Sequence, residues 1–89
     1  MNTFLWSHEK NELLKTRRGV SFEELVKSRF LGIEKHNTRL HQKLMVFEFR
    51  RYAWVVPYVE DKGRYFLKTA FPSRKYTKKY LGGDKDEKN

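Results

Sequence analysis

The sequence predicts an α+β fold, in which two N-terminal helices pack on a small antiparallel β-sheet of three or four strands, followed by a short basic C-terminal helix. Helix-capping residues and apolar residues at helical spacing mark residues 8–32, after a short apolar run, Thr3–Trp6, that suits an edge strand. Residues 43–71 change to the pattern of β-strands, and helical signals return after Pro72.

The N-terminal region carries the signals of two helices. Ser7 is expected to cap the first, over His8–Arg18. The second helix has the stronger start, because Ser21 and Glu24 fit the S-x-x-E capping box. Its apolar residues share one helical face, and Gly32 is predicted to end it. That face consists of Phe22, Leu25, Val26 and Phe30.

The middle of the chain is predicted to form a three-stranded antiparallel meander over Lys43–Phe49, Tyr52–Val59 and Arg64–Phe71. Residues 60–63, Glu-Asp-Lys-Gly, are a usual hairpin loop with glycine at the left-handed position. The Arg-Arg pair at 50–51 is different, because arginine is a poor residue for the positive φ of a two-residue turn. We expect either a longer loop or a strained turn there, and a strained turn calls for a functional reason.

The stretch from Arg64 to Leu81 combines positive charge with aromatic rings. Ser73 is expected to cap a basic helix over Arg74–Leu81. Cations bind phosphates and aromatic rings stack on unpaired bases, so the stretch is typical of an RNA-binding surface. The first two helices are expected to cover one sheet face, leaving the other as a concave working surface edged by this basic helix. The six cations are Arg64, Lys68, Arg74, Lys75, Lys78 and Lys79.

The overall composition favours a small protein that binds polyanions. The chain carries a net charge of +9 with a pI near 9.9, and 16% of its residues are aromatic. It has no cysteine, no signal-peptide pattern and no apolar run near the roughly 18 residues that span a membrane. We therefore expect a cytoplasmic protein with no membrane partner. Residues 1–83 are predicted to form one domain and residues 84–89 a disordered polar tail.

Two histidines, His36 and His41, lie five residues apart in a polar segment. A protein metal site of the zinc type needs three or four ligands, and the sequence offers no evident third ligand. We therefore predict no metal and no other cofactor. The pair is interpreted as surface histidines, with a catalytic base as the alternative.

Two segments carry longer motifs. Residues Phe4 to Glu24 follow the pattern F-x-W-x-x-x-K-N-x-x-L-x-x-x-R-G-V-S-F-E-E. This pattern resembles the opening of the BrnT-like toxins of bacterial type II toxin–antitoxin modules. The later segment, VVPYVEDKGRYFLKTAFPSRKYTKKYL, resembles the sheet and last helix of a related toxin group.

The resemblance implies a RelE-like fold, with helices packed on a four-stranded antiparallel sheet. It also implies a toxin that cleaves RNA, free or ribosome-bound, and so inhibits translation and arrests growth. A cognate antitoxin with a ribbon-helix-helix DNA-binding part would neutralise the toxin and repress the operon. In BrnT-like chains an arginine and a basic helix follow the last strand, and Arg74 and Lys78 match that arrangement.

Metal-independent RNA cleavage by 2′-OH attack needs an acceptor for the 2′-OH proton, cations that neutralise the phosphorane-like centre and a proton donor for the leaving oxygen. Lysine and arginine suit the second role, so most candidates are cations. The catalytic candidates are Arg74, Lys78, Lys68, Arg51 and Glu48. The RNA-binding candidates are Arg50, Arg64, Lys75, Lys79, Tyr76 and Tyr80.

Several candidates have structural alternatives. Tyr76 and Tyr80 share a helix face, and such residues more often pack a helix onto a sheet than stack on bases. Glu48 suits an ion pair with Arg50 or Lys43. Two other functions also stay open: a noncatalytic basic regulator that binds RNA or another nucleic acid, and a basic subunit whose charge serves to bind an acidic, antitoxin-like partner.

Overall fold

A computed structural model describes residues 3–82 of the chain, so the predicted disordered tail at 84–89 lies outside the described residues. Three helices and six strands occupy this range. In chain order they are β1 (Thr3–Leu5), α1 (His8–Arg18), α2 (Phe22–Lys27), β2 (Arg29–Lys35), β3 (Lys43–Phe49), β4 (Tyr52–Asp61), β5 (Arg64–Leu67), β6 (Phe71–Pro72) and α3 (Arg74–Leu81).

The strands form one mixed sheet in the order β1-β5-β4-β3-β2, and β6 pairs with β4. Strands β2 to β5 pair antiparallel, whereas β1 lies parallel to β5. The predicted architecture of two N-terminal helices on an antiparallel sheet of three or four strands is therefore wrong, and so is the four-stranded sheet implied by the resemblance. The described sheet has six strands, and the N-terminal region supplies a single full-length helix, α1, because α2 ends after six residues.

Helix α2 begins as predicted, with the complete capping box of Ser21 and Glu24, but it does not continue to Gly32. The Ser28 hydroxyl donates to the Leu25 carbonyl at 2.5 Å, and the chain then turns into the edge strand β2. Phe30 pairs with Phe47 of β3, with ring centroids 5.7 Å apart, instead of extending the helix face. Pairing with β3 supplies hydrogen bonds and ring contact that a longer helix would forgo.

The sheet separates two apolar cores. Met45 and Phe47 of β3 point to the core under α1 and α2, whereas Leu44 and Val46 point to the core under α3, because successive side chains of a β-strand point to opposite faces of the sheet. Helix α3 therefore packs across the second face, where Tyr76 is 8% exposed, rather than edging an open concave surface.

The turn between β3 and β4 is strained. Phe49 pairs directly with Tyr52, so Arg50 and Arg51 form a two-residue turn with φ values of 55° and 66°. The structure thus has the second of the two predicted alternatives, a tight turn with left-handed arginines. The other hairpin turn places Gly63 at one of its two positive-φ positions.

Candidate nucleic-acid interface

A groove of about 860 Å³ opens between α1, the β2–β3 loop and the segment that joins β5 to β6. It lies where β4 changes partners: β5 ends at Leu67 and β6 begins at Phe71. Between them, the main-chain N–H of Lys68 donates to the Pro57 carbonyl at 2.8 Å, and both residues line the groove. We call this cavity the basic groove.

Five cations line the basic groove: Lys10, Arg17, Arg18, Arg39 and Lys68. Within residues 3–82 none of their side chains forms an ion pair, and no carboxylate is among the described lining residues. A concave surface lined by charges of one sign concentrates the electrostatic potential and attracts ions of the opposite sign. The groove is thus suited to a polyanion.

Helix α1 arranges its part of the lining through helical periodicity. Lys10 and Arg17 are seven residues apart, so they lie on one face, about 10 Å apart along the helix axis. Leu14 lies between them and is buried in the core, which fixes that face against the sheet. The result is a row of cations held by a packed helix rather than by a loop.

His36 lines the groove from the β2–β3 loop. Its Nδ1 accepts hydrogen bonds from the main-chain N–H groups of Thr38 and Arg39, both at 3.2 Å. The neutral ring therefore carries its proton on Nε2, which is the nitrogen left to contact a ligand. In this form His36 is a hydrogen-bond donor for an anion, and using it as a base would require the other tautomer.

Two exposed apolar side chains also line the groove. Phe71 is 36% exposed and Leu13 is 46% exposed, and they belong to β6 and α1. An exposed aromatic ring beside unpaired cations is the combination that binds single-stranded nucleic acid, because bases stack on the ring while cations bind phosphates.

Of the eleven residues selected from the sequence as catalytic or RNA-binding, Lys68 alone is in the described lining of the basic groove. Arg74, Lys75, Lys78 and Lys79 belong to α3, which packs on the other face of the sheet. The sequence-based prediction of one continuous basic surface therefore differs from the structure, in which Lys68 and helix α3 belong to opposite faces of the sheet. The sequence-based selection did not include the groove cations of α1, which are Lys10, Arg17 and Arg18. The spacing of seven residues between Lys10 and Arg17 already indicates that both lie on one face of the helix.

Helix α3 is fixed to the edge strand β2 by Glu34, Lys79 and Tyr80, which we call the α3 latch. Oε2 of Glu34 accepts from Lys79 Nζ at 2.7 Å and from the Tyr80 hydroxyl at 2.5 Å. The hydrogen bond from Lys79 lowers the pKa of Glu34 most, and the bond from Tyr80 lowers it further. The same two bonds raise the pKa of Lys79 and the pKa of Tyr80.

The tyrosines of α3 face the sheet. Tyr76 lies in the core with Leu44 and Val46, and the half-buried Tyr80 packs against the same cluster. Their rings lie 6.3 Å apart at 46°. This packing onto the sheet is the alternative to base stacking that the helical spacing of the two tyrosines predicts.

The remaining selected residues lie at hairpin ends. Glu48 pairs with Arg29 at 3.1 Å, not with Arg50 or Lys43, and Arg64 pairs with Asp61 at 3.1 Å. The guanidinium of Arg50 stands over the Phe49 ring at 4.7 Å.

The strained turn, at residues 50–51, is far from the basic groove. The groove reaches the β3–β4 hairpin at Gln42 and Pro57, at the end opposite to this turn. The groove end of the hairpin, at Pro57, and the turn at residues 50–51 are roughly 20 Å apart along the strands.

The fold and the groove together define a small α+β protein whose mixed sheet is covered by helices on both faces and which has a groove lined by cations. The crystal structure of the Brucella abortus ribonuclease toxin BrnT has a similar fold, with a TM-score of 0.65 and 15% sequence identity. The superposition covers 82% of this chain and 97% of the BrnT chain. No protein-family model and no curated protein matches the sequence. The chain thus has a BrnT-like fold, as the sequence motif predicted.

Two further properties bear on the site. No helix within residues 3–82 is long and apolar enough to cross a membrane. In the same part of the chain, no group of three or more His, Cys, Asp or Glu residues is arranged to hold a metal ion.

Proposed function

We propose that this chain is a ribonuclease, the toxin component of a type II toxin–antitoxin system, and that the basic groove is its RNA-binding and catalytic site. The observation that carries the proposal is the set of five cations in one groove, none of them in an ion pair within residues 3–82, beside an exposed aromatic ring on a BrnT-like fold. Cations and an exposed ring suit single-stranded RNA better than a duplex, whose bases are already stacked.

The chemistry that fits the groove is attack of a ribose 2′-OH on the adjacent phosphorus. The bond from phosphorus to the 5′-oxygen breaks, which leaves a 2′,3′-cyclic phosphate and a 5′-OH end; water takes up the 2′-OH proton, and water supplies the proton that the 5′-oxygen gains. Charge increases on the non-bridging oxygens in the transition state, and lysine and arginine stabilise it there. His36 would donate from Nε2 to one of these oxygens.

Lys68 is the groove cation that we assign the central role. It is the only one of the five that is partly buried, whereas Lys10, Arg17, Arg18 and Arg39 are exposed. A charge in a less polar surrounding interacts more strongly with a developing charge nearby. The mechanism that we propose is metal-independent, because the described lining of the basic groove offers no carboxylate to hold a divalent ion.

The sequence-based assignment is the competing version of the site. It places catalysis at five residues, Arg74, Lys78, Lys68, Arg51 and Glu48, and RNA binding at six, Arg50, Arg64, Lys75, Lys79, Tyr76 and Tyr80. Both versions predict a ribonuclease and include Lys68, and they differ in whether substitution of Arg74 abolishes cleavage.

The wider role is proposed on the same basis. RNA cleavage, of free or ribosome-bound RNA, would inhibit translation and arrest growth in the cytoplasm, with residues 1–83 acting as one domain. A cognate antitoxin, whose DNA-binding part we expect to be a ribbon-helix-helix, would neutralise the toxin. The net charge of +9 supports an acidic partner segment.

The test is expression of the wild-type chain, Lys68→Ala and Arg74→Ala at equal abundance in a bacterial host. Growth is followed, and the ends of total RNA are mapped by primer extension. We expect growth arrest and discrete new RNA ends with the wild type and with Arg74→Ala, and neither with Lys68→Ala. Both substitutions remove one positive charge, so each is the matched control of the other.

Three other outcomes are informative. If Arg74→Ala is inactive and Lys68→Ala is active, the catalytic site is on α3. If the wild type leaves RNA intact but the purified protein binds RNA, the chain is a noncatalytic nucleic-acid-binding regulator. If it neither cleaves nor binds RNA, the charge serves another partner, and the proposed function is wrong.

A further inference from the structure

A second hollow, of about 330 Å³, adjoins the basic groove. Its lining includes Trp6, Phe66 and Leu5, and it shares two residues with the basic groove, Lys10 and Lys68. The shared lysines therefore stand at the boundary between a cationic groove and a hollow with aromatic walls.

The hollow follows from the way the chain enters α1. Strand β1 ends at Leu5, which pairs with Phe66 of the parallel strand β5. Trp6 and Ser7 then cross the end of this strand pair before α1 begins at His8. The hollow thus lies between the β1–α1 connection and the end of β5.

Both aromatic rings of the hollow are held in place and partly accessible. Trp6 is half-buried against Phe22, with centroids 5.7 Å apart at 32°. Phe66 is half-buried with the Arg64 guanidinium over its ring at 5.4 Å. Rings fixed in this way lose little side-chain freedom when they bind a flat ligand, which favours stacking.

We infer that this hollow is a nucleobase subsite of the RNA-binding surface. The base of one nucleotide enters the hollow and stacks on Trp6 or Phe66, while Lys10 and Lys68 bind its phosphate at the boundary with the basic groove. The inference rests on the proposed function for the identity of the ligand, and it adds where one base goes and how it is selected.

The lining also defines the selectivity. Apart from the two lysines, the side chains in the described lining that can hydrogen-bond to a base are Ser7, whose Oγ already accepts from the Lys10 N–H at 3.3 Å, and Trp6, whose indole N–H is a single donor. These two groups offer few contacts to a base edge, so stacking area is expected to contribute most of the selectivity. Purines, with the larger ring system, are expected to bind better than pyrimidines.

The experiment uses tryptophan fluorescence, because the chain has two tryptophans, Trp6 and Trp54. Trp54 lies in β4 and lines neither cavity. In the Trp54→Phe variant all tryptophan emission comes from Trp6. The probe is a six-nucleotide RNA with 2′-O-methyl groups, which blocks 2′-OH attack, and binding is measured in parallel by anisotropy of a dye on the RNA.

We expect saturable quenching of Trp6 emission in Trp54→Phe, with the same midpoint as the anisotropy curve. The matched variant Trp6→Phe reports from Trp54 and should show no such quenching. Replacing single bases by abasic sites should identify one position where affinity falls roughly 5- to 150-fold, the range that a stacked base supplies. At that position adenine should bind better than uracil.

The results separate this inference from the proposed function. If RNA binds and natural RNA is cleaved while Trp6 emission is unchanged and every abasic probe binds equally, the subsite is wrong and the ribonuclease proposal stands. If Trp6 is quenched at one base position but natural RNA stays intact, the subsite stands and the ribonuclease proposal fails. A Phe66→Leu variant, checked for folding by circular dichroism, should lose affinity for the full probe and not for the abasic one.

Discussion

Gly32 is the residue whose identity is most tightly set by a distant part of the chain. A Cβ at this position would lie 2.6 Å from the Tyr80 hydroxyl oxygen and 3.1 Å from its ring carbon Cζ. Glycine therefore allows Tyr80 to cross the edge strand and reach Glu34 in the α3 latch. The predicted role of Gly32, ending a helix, was wrong, because the space that glycine leaves is used for a contact between β2 and α3.

Replacing Gly32 with alanine should loosen α3. We expect Gly32→Ala to lower the free energy of unfolding by about 1–3 kcal/mol, because Tyr80 must move and its hydrogen bond to Glu34 is lost. Urea denaturation measures the change. The same substitution in a Tyr80→Phe background should cost less, because the nearest clashing atom is then absent. Equal costs in the two backgrounds would contradict the close contact.

The α3 latch should make stability depend on pH through Glu34. Because its pKa is lower in the folded than in the unfolded chain, the carboxylate adds stability above its ordinary value of 4.5, and this contribution is lost as the pH falls through the folded pKa. We expect wild type to lose more stability than Glu34→Gln between neutral pH and the acid range below 4.5. Urea denaturation at several pH values measures the difference, and parallel curves for the two proteins would rule out the latch.

Among the elements, the β3–β4 turn shows a local conflict between sequence and backbone. Both of its arginines adopt left-handed φ values, which cost an ordinary side chain about 1 kcal/mol or more per residue. Neither belongs to the described lining of the basic groove, and the turn lies at the opposite end of the β3–β4 hairpin.

Changing this turn to Asn-Gly should stabilise the protein. We expect Arg50→Asn/Arg51→Gly to raise the free energy of unfolding by about 1–2 kcal/mol, because these residues tolerate positive φ. Lys62→Asn, at φ 53° in the other hairpin, is the matched control and should give a smaller gain of the same sign. No gain in the double variant would mean that the turn is not strained. RNA binding by the same sample tests whether the arginines contribute to it.

The helices show which element boundaries the sequence could define. Ser7 and Ser21 cap α1 and α2 as predicted, and Ser73 caps α3, because capping depends on residues within a single turn. The end of α2 could not be predicted in this way. Residues from Arg29 onward form β2 because β3 is there to pair with, and the paired residues lie between 8 (Lys35 and Lys43) and 19 (Arg29 and Glu48) residues further along the chain.

For the whole molecule, the decisive feature is how the charge of +9 is distributed. The densest run of cations in the sequence is divided by the sheet, since Lys68 turns to the basic groove while α3 lies on the other face. The groove instead draws cations from α1, from the β2–β3 loop and from the end of β5. Local charge density along the chain was therefore a poor guide to local charge density in space.

Salt dependence of RNA binding should distinguish these two surfaces. For a single strand, the logarithm of the binding constant falls with the logarithm of salt concentration by about 0.7 for each phosphate neutralised. We expect Arg17→Gln/Arg39→Gln to reduce this slope by about 1.4, and Arg74→Gln/Lys75→Gln, with the same change in net charge, to leave it nearly unchanged. Filter binding from low to moderate salt measures the slopes, and equal effects would show that RNA contacts both surfaces.

The sequence by itself determined the helix starts, the two-faced alternation of β3, the net positive charge and the motif that led to the BrnT-like fold. These properties depend on residues close together in the chain or on composition. Only the tertiary structure decided the early end of α2, the parallel addition of β1, the position of α3 across a sheet face and the assembly of the basic groove. Each of these is a contact between distant segments, and the free energy of such a contact depends on a partner that no local pattern specifies.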